Sequence, residues 1–179
     1  MTTTYAWHFV GETLRDGRPI PADGVTLHHA GPIIPCESGL HASLQPFDAL
    51  QYAPGGTLCL VRIDGPIKKH DGDKIVGANR TILARMDVTE MLRYFARMQS
   101  LSVVHMWDTP EVVLDYLMTG DESMRAAAGV AARAAAWAAA RAAARDASWA
   151  AAWAAARDDF NSLVFECFEG PLALIGGWK

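Results

Sequence analysis

Cysteine is scarce: Cys36, Cys59 and Cys167 are the three present, and no two are spaced Cys-x-x-Cys. An odd, unpaired set argues against a disulfide scaffold and fits reduced thiols in a cytosol. Long apolar runs are missing too. No stretch of about 18 residues escapes interruption by arginine or aspartate, so no membrane span is expected. The opening residues Met1-Thr2-Thr3-Thr4-Tyr5 lack the basic region, apolar segment and cleavage site of a secretory signal, and a cytoplasmic location is expected. Positive charge is not in excess. The formal net charge of -4 argues against nucleic-acid backbone as the main partner.

Hydrophobic residues make up 51% of the 179, but much of that is alanine concentrated in one region, so the core is smaller than the figure implies. The order of patterns predicts an α+β fold: a small β-rich N-terminal domain over residues 1–86, two helices packing on it over 87–119, a long alanine-rich helix within 120–170, and a tail over 171–179. Tyr5 to Val10 has the aromatic and β-branched content of a strand, and Gly39 to Ser43 reads as a short one. Leu58 to Ile63 is the clearest strand, with a stop at Asp64-Gly65-Pro66. After a turn at Asp71-Gly72-Asp73, Lys74 to Val76 and Arg80 to Ala84 read as two more.

The period then changes. Asp87-Val88-Thr89-Glu90 has the form of a capping box, followed by Met91, Leu92, Phe95 and Met98 at helical spacing. Thr109-Pro110-Glu111 starts a second helix that Gly120 ends. From Ala126 to Ala156 alanine dominates, the best helix former. Arg133, Trp137, Arg141, Arg145, Trp149, Trp153 and Arg157 follow one another at intervals of four. Each step of four turns a helix about 40° beyond a full revolution, so the stripe winds round the axis. A helix of this kind is expected to meet different neighbours along its length and to self-associate, with Trp137, Trp149, Trp153, Arg141 and Arg145 at the contact. A nucleic-acid stripe is disfavoured because the arginines wind rather than cluster, and the segment has no threonine for an ice-binding face. Beyond it, Phe160, Leu163, Val164, Cys167 and Phe168 form an apolar helical face, with Gly170-Pro171 as its stop.

Candidate chemistry gathers around "GLHASLQPFDALQY", residues 39–52. His41 reads either as a half-buried strand histidine bonded to neighbouring backbone or as part of a ligand pocket over an apolar floor. In the second reading His41, Tyr52, His8, Trp7, Ser43 and Lys74 are the ligand-binding residues. A zinc site on His28 or His29, Cys36 and His41 matches no tight ligand spacing, and a Cys36 and His41 nucleophile pair is not required by the local sequence. No metal, cofactor or catalytic residue is assigned.

The stretches "PCESGLHASLQPFDALQYAPG", "LCLVRIDG" and "GDKIVGANRTILARM" resemble an uncharacterised domain family common in phage and prophage genomes. The resemblance covers roughly residues 5–86 and is carried by Cys36, Gly39, His41, Pro46, Tyr52, Gly65, Asp73 and Lys74. It implies a phage or prophage setting, hence the host cytoplasm, and narrows the setting more than the chemistry. Residues 39–63 are also similar, more weakly, to the ADP-ribosyltransferase fold, with Ser43, Ala49, Tyr52-Ala53 and His8 at matching points. Glu90, Glu111 and Glu122 fall at predicted helix starts, so that resemblance lacks its catalytic glutamate. The expected function is an accessory protein that binds a small ligand, a nucleotide-like one in a counter-defence role being one form, or a host protein, and that forms homo-oligomers. The alternatives are a nucleotide- or NAD-using enzyme and a structural or scaffold protein.

Overall fold

Apolar, β-branched residues after Gly56 build the longest hairpin of the chain. The computed structural model describes residues 3–70, 72–140 and 149–177. Strand β4, Thr57–His70, pairs antiparallel with β5, Lys74–Asp87, from Thr57 opposite Asp87 to His70 opposite Lys74. The stop expected at Asp64-Gly65-Pro66 is a bulge instead: the register steps between Asp64 and Ile67, and Gly65 absorbs the bend at φ +81°. Pro66 falls in the stretch the ladder skips, where its missing N–H costs nothing. The two short strands expected at 74–76 and 80–84 are likewise one.

Strand β1, Thr3–Val10, pairs with β4, and β3, Leu40–Ser43, pairs with the first residues of β5. Trp7 sits opposite Ser43, which joins β1 to β3. The pairings therefore run from β4 to β5, β3, β1 and back to β4, closing the sheet on itself and covering strand edges. Strand β2, Thr26–His28, continues along β5 beyond β3. Val10, Val61, Ile63, Ile75 and Ile82 are among the side chains buried at the centre of this all-antiparallel, five-stranded sheet. The α+β class read from the sequence is the class observed.

The chain's last segment completes this first unit, which comprises the residues up to Thr89 together with those from Arg157 onward. Helix α1, Pro46–Leu50, starts on a proline whose fixed φ suits the first helical position. Helix α2 is Thr89–Ser102, α3 Glu111–Thr119, α4 Arg125–Ala140 and α5 Trp149–Cys167. The end of α5 docks on α1 and β1. Phe160 and Phe168 are fully buried; Phe160 meets Phe47 edge-on at 5.7 Å, and Phe168 meets Trp7 edge-on at 5.1 Å. Asn161 Oδ1 accepts the Phe47 N–H at 2.9 Å, and Arg157 Nη2 donates to the buried Asp48 carboxylate at 2.7 Å. The expected stop at Gly170-Pro171 is another correction. The chain turns at Phe168 into α6, Glu169–Leu174, because proline is tolerated in a first helical turn, where its nitrogen needs no partner.

Residues 90–156 form a second compact unit. Val113 and Leu117 of α3 bury themselves against Ala128 of α4, whose small side chain lets the two backbones approach. Gly120 ends α3 in the left-handed conformation, φ +70°, with its N–H on the Tyr116 carbonyl at 2.8 Å. The start of α2 is capped differently from the box expected: Asp87 Oδ1 accepts the Thr89 N–H, two residues on rather than three, and Glu90 turns to Arg93 at 2.6 Å. The long alanine-rich helix is described as two segments, α4 and α5. Arg141 and Arg145 lie outside the described residues, as do the side chains of Trp137 and Trp149, while Trp153 is 45% exposed. Among the described residues no helix is long and apolar enough to cross a membrane.

Asp48 is buried, and Arg157 is its charged partner, itself 41% exposed at the side chain. Replacing Arg157 by methionine keeps most of the stem and strands the carboxylate, so urea denaturation should show a loss of about 1–3 kcal/mol. Asp48→Asn combined with Arg157→Met should recover much of that loss; equal losses in the single and double variants would show that the ion pair is not what holds this contact.

Candidate functional site

Separate stretches of the first unit meet around one cleft of about 770 Å³. Strand β1 contributes Trp7, His8, Phe9 and Val10; the turn before β3 contributes Cys36 to Gly39; β3 itself contributes His41 and Ser43. Tyr52 follows α1, and Lys74 and Arg80 come from β5. All six residues singled out in the sequence, His41, Tyr52, His8, Trp7, Ser43 and Lys74, border the same cleft, but Trp7 is fully buried and its ring packs on Phe168, so its side chain is not offered to a ligand there. Val10, Leu27 and Leu40 give it apolar walls.

Tyr52 stands at the rim, 53% exposed, with the Lys74 Nζ 4.5 Å from the centre of its ring. A hydrogen bond with the Tyr52 hydroxyl raises the Lys74 ammonium above its usual pKa. Ser43 is buried deeper, at 3% exposure.

His41 is more constrained than a free polar group over an apolar floor. Its Nε2 accepts the Cys36 N–H at 3.0 Å, and a backbone N–H can only donate, so Nδ1 carries the ring proton and donates to the Gly39 carbonyl at 3.1 Å. Both ring nitrogens are taken up by the turn between Cys36 and β3. The ring touches Cys36 through the backbone amide and not the thiol, so the two are not arranged as a nucleophile and its base. His29 braces the same turn from the other side, its Nε2 3.0 Å from Ser38 Oγ, and His28 bonds Asn79 Oδ1 through Nδ1 at 2.8 Å. The turn is tightly specified. Cys36 adopts φ +62°, uncommon outside glycine, and at Gly39, φ +116°, an added Cβ would meet Val76 Cγ2 at 2.5 Å.

The residue the sequence reading missed is Arg80. It is 6% exposed, lines the cleft, and donates from Nη1 to the His41 carbonyl at 2.7 Å. Its buried Nε has no hydrogen-bond partner, and no carboxylate pairs with it among the described residues. Burial lowers its pKa to about 10, which leaves it charged at neutral pH. No alternation marked it: Ile75 and Thr81 on one side of β5 are as buried as Val76 and Ile82 on the other, so the strand's period does not single out Arg80.

This charge governs its neighbours. Burial first, then Arg80 and His41, hold the His8 imidazole well below its usual pKa, even though part of the residue's surface faces the cleft. Burial also lowers His41, against its bond to Gly39, and Arg80, Lys74 and Arg15 lower it further. Both rings are therefore neutral at pH 7.

Residues 5–94 match a family model described as a domain of unknown function, DUF7666. The match covers half of the chain and every residue of the cleft named above, and the chain belongs to this family. No curated protein and no solved structure matches it.

The lowered histidine pKa values fix the sign of a pH dependence. As pH falls below about 6.5 the unfolded chain protonates these histidines and the folded chain resists, so stability is complete above that value and declines beneath it. Urea midpoints should fall between pH 7.5 and 5.5, at up to about 1.4 kcal/mol per pH unit for the buried His8 and by less for the half-exposed His41, whose shift solvent screens. His8→Gln should make the decline shallower; a decline parallel to that of the unaltered protein would acquit His8.

Proposed function

We propose that this member of a family of unknown function is a binding protein that takes a small ligand in the cleft bounded by β1, β3, Tyr52 and β5. The observation that carries the reading is the convergence of His8, His41, Ser43, Tyr52 and Lys74 on one cleft of about 770 Å³. Sites for drug- or nucleotide-sized molecules have volumes of about 300–1,000 Å³, apolar walls and a few directed polar groups. His41 acts in this reading as a positioning residue: with its ring bonded to Gly39 and Cys36, it sets the shape of the turn while Tyr52, Lys74 and Ser43 face the ligand.

The second half of the proposal is self-association through the alanine-rich helices. Its support is the exposed Trp153 and the exposed Val130 on helices otherwise rich in alanine, which permit close helix packing. A phage or prophage protein that sequesters a nucleotide signal in the host cytoplasm is the biological form we attach to this activity, and it rests on the sequence resemblance alone.

Native mass spectrometry of the purified protein, followed by denaturation and identification of released small molecules, tests both halves. We expect an oligomer carrying, or titratable with, a nucleotide-sized mass, and Tyr52→Ala should weaken that binding at least tenfold, about 1.4 kcal/mol. Binding unchanged by Tyr52→Ala would move the ligand out of this cleft, and a strict monomer at tens of micromolar would remove the self-association.

A further inference from the structure

A guanidinium in a protein interior is ordinarily matched by a carboxylate, because leaving a buried charge without an opposite one is costly. Arg80 breaks that rule inside the cleft. Its one hydrogen bond among the described residues goes to a neutral carbonyl, that of His41, and its Nε has none. Other cations share the walls. Lys74 stands at the rim beside Tyr52, and Arg15 lines the cleft from the loop after β1. On the acidic side, Asp16 is occupied by Arg18 at 2.7 Å, which leaves Glu37 as the one other carboxylate on the wall among the described residues. The inner wall is thus built for a negative charge that the protein itself does not supply.

From this arrangement we infer that the ligand carries a phosphate group, seated between Arg80 and Lys74 with the rest of the molecule along Val10, Leu27 and Leu40. This rests on the ligand-binding reading above and narrows it to a chemical class. A phosphate offers oxygens enough for a planar guanidinium and an ammonium at once, and its second negative charge answers the second cation. A carboxylate has two oxygens and one charge. The neutral state of His8 and His41 is consistent with this division, since it leaves the arginine and the lysine as the charged donors.

The full-length protein tests this directly with inorganic phosphate and pyrophosphate as probes, against acetate and chloride at matched ionic strength, read by thermal unfolding and by calorimetric titration. We expect saturable stabilisation by phosphate and stronger stabilisation by pyrophosphate, with chloride inert and acetate weak. Lys74→Met, at an accessible site where folding is not at stake, should weaken phosphate binding at least threefold. Arg80→Met should weaken it at least tenfold, with Arg80→Lys retaining part of it as a control for folding. Equal response of Lys74→Met and the unaltered protein, or acetate matching phosphate, overturns the inference. If phosphate fails while an uncharged ligand still binds with dependence on Tyr52, the inference falls and the ligand-binding reading stands; if neither binds, both fall.

Discussion

The hydrogen bond from Arg80 Nη1 to the His41 carbonyl is the contact on which the rest of the cleft depends. It ties the middle of β5 to β3 across 39 residues of sequence. Through the backbone of His41 it fixes the ring, and through the ring it fixes the Cys36 amide and the Gly39 carbonyl. A charge buried at 6% exposure thus sets the position of a turn that contains an unfavourable φ at Cys36 and a glycine that accepts no side chain. Strain and an uncompensated charge in the same place are costs that a purely structural turn has no reason to carry, since either lowers stability without improving packing.

The closed pairing of β4, β5, β3 and β1 gives this contact a firm frame. A closed sheet has few edges along which strands can slip, and each register in it is fixed twice, once by each neighbour. The bulge at Gly65-Pro66 bends β4 where it leaves β1, and β5 can then carry β3 and β2 end to end along its other side. The aromatic contacts of Trp7 with Phe168 and of Phe47 with Phe160 cover the opposite side of this frame.

Much of the architecture was legible in the sequence because it is written in short-range periodicity. The content of Tyr5 to Val10, the apolar run from Leu58, and the i, i+3, i+4 spacing from Phe160 each predict their element from neighbours a few residues away. Ladder continuity was not legible: Gly65-Pro66 reads locally as a stop, and only the partner strand turns it into a bulge. The six expected cleft residues come together because glycine and proline turns bring their segments to one place, a pattern the sequence displays. Arg80 was hidden for the opposite reason. An arginine in a strand reads as solvent-facing, and its burial follows from the closure of the sheet, which no local pattern encodes. The polarity of His41 was legible, but the bonding of both its ring nitrogens was not, since its tautomer depends on which backbone amide the turn at Cys36 aims at it.

The first unit is interrupted in sequence by residues 90–156 and finished by those from Arg157 onward. During synthesis the sheet therefore leaves the ribosome long before Phe160, Val164 and Phe168 do, and until they arrive Trp7 and Phe47 have no covering layer. The intervening helices, built on contacts close in sequence, are suited to fold while the earlier half waits, as local topologies form faster than distant ones. Residues from Arg157 onward act as a latch on the order of assembly, so that their removal exposes the oldest part of the core rather than the newest.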